Sequence, residues 1–147
     1  MAKLSRVQLD PVAMDSGRWF PWIYDIELRI ASAMSDRFRN RFEDLKRDHA
    51  DARAIEAVPE SEVARKAVLD CERQAAAELL LLDWKNLEDD AGEPIPCSLD
   101  RKLEMFKEPR WQHLYRFVIN RALAEKNHLT IAARHDEGKS ANSSAGG

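Results

Sequence analysis

Apolar and polar positions alternate in the early part of the chain and later recur at a helical rhythm. Between residues 18 and 31, Trp19, Phe20, Trp22, Ile23 and Tyr24 precede the alternating run Ile26-Glu27-Leu28-Arg29-Ile30. This period-two pattern predicts a β-hairpin turning near Tyr24 and Asp25. Pro21 has no N–H to give to a ladder, so the first strand belongs at an edge or beside a bulge. Ser35 then stands where a helix N-cap would, and Phe38, Phe42 and Leu45 recur at helical spacing in a helix predicted to run to about Arg53. Val58-Pro59-Glu60 restarts the chain. Val63, Ala67, Val68 or Leu69, Ala75, Ala76, Leu79, Leu80 and Leu82 predict a second, long helix, in which Ala75-Ala76-Ala77 permits close approach by a neighbour.

The helical reading continues to about Leu87, where Asp89-Asp90-Ala91-Gly92, Pro94 and Pro96 stop it and force an extended exit. Residues 98–106 read as a short helix, with Ser98 as its cap and Asp100 near its positive end. Pro109 opens the last helix, with Trp111, Leu114, Val118, Ala122 and Leu123 as its apolar stripe and Arg116, Arg121 and Lys126 on the wet side. A hairpin followed by helices predicts an α+β fold, predominantly α, in which the N-terminal aromatic β-hairpin packs on a bundle of about four helices. Residues 1–17 read as an N-terminal arm and 18–134 as a single domain. Residues 135–147, rich in Gly, Ser and Asn, read as a flexible, disordered tail.

With 147 residues, 44% hydrophobic and 33% charged, one domain can bury a core without disulfides. The net charge of -3 argues against a broadly basic nucleic-acid footprint. Charge is distributed unevenly, however. Asp83, Glu88, Asp89, Asp90 and Glu93 face only Lys85 in an acidic turn, whereas residues 101–126 hold seven Lys/Arg against three Glu. Head-to-tail pairing between copies would use these opposed signs, and the plainer account is solvated surface charge. Cys71 and Cys97 form no CxxC pair, the first fifteen residues lack the apolar core of a secretory signal, and no run approaches the roughly 20 apolar residues of a membrane span. A reducing cytoplasm is the expected compartment.

Candidate chemistry is sparse. His49, His113, His128 and His135 stand in no HExxH motif or close Cys/His pairing, and Glu88-Asp89-Asp90 with Gly92 and Glu93 lacks calcium-loop spacing. There is no phosphate-cradling Gly-rich loop and no GxSxG elbow, and neither cysteine has a nearby base in sequence. The expectation is a protein without catalytic, cofactor-binding or metal residues. The run Arg110-Trp111-Gln112-His113-Leu114-Tyr115-Arg116 invites comparison with nucleic-acid binders. Helical spacing instead puts Trp111, Leu114 and Tyr115 on one packing face. A small helical nucleic-acid-binding or regulatory protein using Arg110, Trp111, Arg116 and Arg121 is the alternative reading.

The order Leu81-Leu82-Asp83-Trp84-Lys85-Asn86-Leu87, then Asp90-Ala91-Gly92-Glu93-Pro94-Ile95-Pro96 and Ser98, resembles the central motif of tail assembly chaperones of long-tailed bacteriophages and prophages. The likeness spans about residues 17–129 and includes the preceding aromatic hairpin and helices. Asn86 replaces a small residue, often Gly, and Cys97 replaces an aromatic, departures that bear on the subgroup. The resemblance implies a non-enzymatic protein of the host cytoplasm, absent from the mature virion. It would bind the tape measure protein, keep its helices soluble and help recruit tail tube protein. It also implies self-association, a homo-oligomer, and a frameshifted longer form as a further partner. Candidate client or self-contact residues are Trp19, Phe20, Trp22, Asp89, Asp90, Trp111, Tyr115 and Arg116; Leu82, Trp84, Leu87, Gly92 and Pro94 form the structural motif.

Overall fold

The computed structural model describes residues 3, 4 and 7–128; the expected tail at 135–147 lies outside them. The fold is α+β and predominantly α, with six α-helices and one small antiparallel sheet among the described residues. Strand β1 (Arg18–Pro21) pairs with β2 (Glu27–Ile30), which pairs with β3 (Leu81–Lys85), so the sheet order is β1-β2-β3. The hairpin is where alternation placed it, and Pro21 ends an edge strand. Its turn places Tyr24 at φ 53.

Strand β3 corrects the reading of residues 79–87 as a helix end. Helix α4 (Glu62–Leu79) stops as Leu80 caps it, and the next five residues form a strand beside β2. Leu81 and Trp84 are both buried although an odd separation would put them on opposite faces of a regular strand. The register explains it: Arg29 faces Asp83 and Ile30 faces Leu81, so Leu82 has no partner and bulges out. The bulge returns Leu81 to the face occupied by Phe20, Leu28, Ile30 and Trp84, which joins the main core.

Helix α2 (Asp36–Asp48) begins at Ser35, whose hydroxyl accepts from the Phe38 N–H at 3.2 Å. The single helix expected to Arg53 is instead broken at His49, which leaves helical geometry and caps α3 (Ala50–Arg53) through its ring nitrogen. Helix α1 (Pro11–Ser16) replaces the expected irregular arm. Asp10 caps it and Pro11 opens it, a start signal with too short a run behind it to show periodicity. Gly17 follows at φ 76, and a Cβ there would lie 2.9 Å from the Ile30 carbonyl carbon and oxygen, so only glycine fits.

The long helix α4 lays fully buried Ala75, Ala76 and Ala77 against the sheet and its neighbours. Helix α5 (Leu99–Lys107) starts at the predicted Ser98 cap, and Pro109 opens a 3-10 turn that leads into α6 (Gln112–Leu123). The Ala33 N–H donates to the Ala122 carbonyl at 2.9 Å and the Asp10 N–H to that of His128 at 2.8 Å, which tie the end of α6 and the following turn to the N-terminal third. No described helix is long and apolar enough to cross a membrane.

Candidate interaction surface

The motif around Trp84 is built for rigidity. The Trp84 indole N–H donates to the Ile95 carbonyl at 2.6 Å, bringing the two sides of the acidic turn together. Asn86 sits at φ 64, a left-handed position that glycine and asparagine tolerate, and its amide donates to the Asp25 carbonyl at 2.8 Å. Asp89 closes the turn, its carboxylate accepting from the Ala91 and Glu93 N–H groups at 2.9 Å each. Gly92 supplies φ 84, exposed Pro94 pairs across from Glu88, and Leu87 packs on the core. Asp90 is exposed beside them.

Behind the motif lies a buried cation. Lys102 is only 6% exposed, and its ammonium donates to the Leu81 carbonyl at 2.8 Å. Desolvation lowers its pKa, while Cys97, Asp83 and Glu78 act in the opposite sense. Burial pushes the Cys97 thiol up to about 11 and raises that of Cys71 as well, so neither is an activated nucleophile. Cys71 borders a groove of about 370 Å³ with Arg41, Asp48, His49 and Lys107. Among the described residues no group of three or more His, Cys, Asp or Glu is placed to hold a metal ion.

Aromatic side chains gather where the hairpin meets α6. Gln112 fixes the entry to that helix by donating to the Phe106 and Glu108 carbonyls, both at 3.0 Å. Trp111 then stacks on His113 with ring centroids 5.9 Å apart, and His113 lies 5.2 Å from Trp22. Trp22 also meets Phe117 at 6.3 Å, and the Arg121 guanidinium sits 4.7 Å over the Phe117 ring. The outcome is one continuous row, Trp111-His113-Trp22-Phe117-Arg121, along a partly exposed face. Ile23 and Tyr24 continue the exposed apolar surface at the hairpin tip.

The predicted contact residues separate by burial. Phe20 and Tyr115, 6% and 7% exposed, are core residues and corrections to the surface expected of them: Phe20 points inward opposite Leu28, and the Tyr115 hydroxyl bonds the Glu72 carboxylate. Trp19 is half-buried on the outer sheet face beneath the Lys85 ammonium, 3.9 Å from its ring. Trp22 and Trp111 are half-buried and brought together, Arg116 is exposed on the same helix, and Asp89 and Asp90 are exposed on the acidic turn. Sequence reasoning passed over Phe117, and named His113 and Arg121 in the nucleic-acid comparison but not as part of this row. The spacing 113, 117, 121 puts the three on one helical face.

The structure is that of a small, predominantly α, α+β protein with a partly exposed aromatic face. A family model described as YdaY prophage protein matches residues 33–139, and the chain belongs to that prophage protein family. No curated protein and no solved structure matches the chain.

Proposed function

We propose that this prophage protein is a tail assembly chaperone: it binds the tape measure protein during tail morphogenesis, keeps that helical client soluble and helps recruit tail tube subunits. The observation that carries the reading is the order of residues 81–98 after an aromatic hairpin and an alanine-lined helix, within a prophage family. The protein acts without catalysis in the host cytoplasm and leaves before the virion is complete. A homo-oligomer and a frameshifted longer form are its other proposed partners. A chaperone that must release its client works through modest apolar contacts on a soluble body, because tight binding would oppose handover to the tube protein. The partly exposed aromatic row supports such contacts.

The test is co-expression with a fragment of a tape measure protein from the same prophage. The fragment should move from the insoluble to the soluble fraction and co-purify with the chain. A fragment that stays insoluble, beside abundant folded chain, rejects the reading.

A further inference from the structure

Neither edge of the sheet invites strand addition. On β3 the Lys102 ammonium holds the Leu81 carbonyl and the Asp83 carboxylate takes the Trp84 N–H at 2.8 Å; β1 ends on Pro21, which has no N–H. A partner therefore meets side-chain faces and does not extend the sheet. The face shared by α6 and the hairpin tip has the chemistry for it. Residues 109–124 contain no Asp or Glu, and Arg116 and Arg121 have no acidic partner among the described residues. Some bases are paired locally, as Lys46 is with Glu43 and Arg47 with Asp44, and within this stretch Arg110 is held by Glu108. Half-buried Phe117 lies beneath Arg121, exposed Leu123 is seven residues from Arg116 on its side of α6, and exposed Ile23 follows Trp22.

Tyr24 adds a second line of argument. It is 97% exposed and held at φ 53, a conformation that disfavours a bulky L residue. No hydrogen bond or ring contact holds its side chain among the described residues. Asparagine or glycine would serve the turn with less strain, so Tyr24 costs local stability.

We propose that this face docks an amphipathic helix of a partner protein, with the apolar stripe of that helix against Trp22, Ile23 and Phe117 and its two acidic flanks toward Arg116 on one side of the row and Arg121 on the other. The same positive charge would attract a nucleic acid, but the rings decide against it. Trp111, His113, Trp22, Phe117 and Arg121 are engaged with one another, so faces on which successive bases would stack are taken. The inference rests on the chaperone reading for the identity of the occupant, a segment of the tape measure protein.

Two synthetic helical peptides of about 20 residues test the chemistry. They share one leucine stripe, one carries Glu and the other Lys on its flanks, and each is titrated against the full chain by fluorescence anisotropy. The Glu peptide should bind about tenfold more tightly than the Lys peptide, with a preference that shrinks as salt rises. The R116E/R121E variant should reverse that preference. Y24N should melt at a higher temperature than the parent yet bind the Glu peptide more weakly. Equal affinities, no binding of the Glu peptide, an unchanged preference in R116E/R121E, or displacement by single-stranded oligothymidylate at matching concentration overturns the proposal. Co-expression separates it from the chaperone reading. A parent chain that fails to solubilise the tape measure fragment rejects that reading alone, whereas equal solubilisation by the parent and R116E/R121E rejects the docking face alone.

Discussion

Trp84 serves as a bolt as well as core filling, because one indole bond joins β3 to the far side of the acidic turn. W84F keeps a ring in the core and removes the donor, leaving the Ile95 carbonyl without it. Chemical denaturation should report a loss of roughly 1–2 kcal/mol with the fold retained. Titration of buried groups gives a second residue-scale expectation. Cys97 is raised from 9.0 to about 11 by burial, so its contribution is fully present below pH 9 and lost as the pH rises through the folded value. Tyr115 is raised from 10.0, first by burial and then by its bond to Glu72, and extends the same loss to more alkaline pH. Lys102 acts with the opposite sign: its lowered pKa makes the native state release the proton first, so stability rises until the unfolded value of 10.5 is passed. Urea midpoints measured from pH 8 to 11 should therefore fall for the parent chain. In C97A the fall should be shallower, because Cys71 and Tyr115 still contribute to it while Lys102 opposes it.

At the scale of elements, β3 shows what local pattern can and cannot convey. The hairpin was legible because Ile26, Leu28 and Ile30 alternate cleanly with charge, and Ser35 and Ser98 announced their helices because a side-chain cap is a local device. Residues 81–85 were misread for a physical reason. Leu81 and Trp84 are three apart, the spacing of a helical face, and only the bulge at Leu82, set by pairing with a strand fifty residues earlier, reconciles that spacing with an extended chain. The aromatic row was illegible for a related reason. Trp22 and His113 meet through tertiary packing that no local spacing records, and Tyr24 looked like an ordinary hairpin residue until its positive φ appeared. The bulge makes a sharp prediction. Leu81 is fully buried and Leu82 half-buried, so L81A should cost about 2–5 kcal/mol. L82A should cost well under half as much, as compared by their denaturation midpoints. Similar losses at the two positions would reject the bulged register.

The molecule as a whole is held by a core that crosses the boundary of the family match. That match begins at residue 33, whereas β1 and β2 lie at 18–21 and 27–30, and their partner β3 lies inside it. The hairpin delivers Phe20, Ile26, Leu28 and Ile30 to the same cluster as Ala75, Leu80, Leu81, Trp84, Phe106 and Val118. It also pairs with one edge of β3 and contributes Trp22 to the face of α6. Burying four such side chains contributes on the order of 6–12 kcal/mol. The net stability of a domain is about 5–15 kcal/mol, so the remainder has little margin without them. A chain restricted to residues 33–128 is therefore expected to lose its cooperative unfolding transition and its near-ultraviolet tryptophan circular dichroism while keeping part of its helical signal. Supplying residues 7–32 as a separate polypeptide should restore the transition in proportion to its concentration, because β1 and β2 then bind as an intermolecular hairpin on β3. A truncated chain that unfolds cooperatively near the parent midpoint would show instead that the helices form a self-sufficient core and that the hairpin is an appendage carrying only the contact surface.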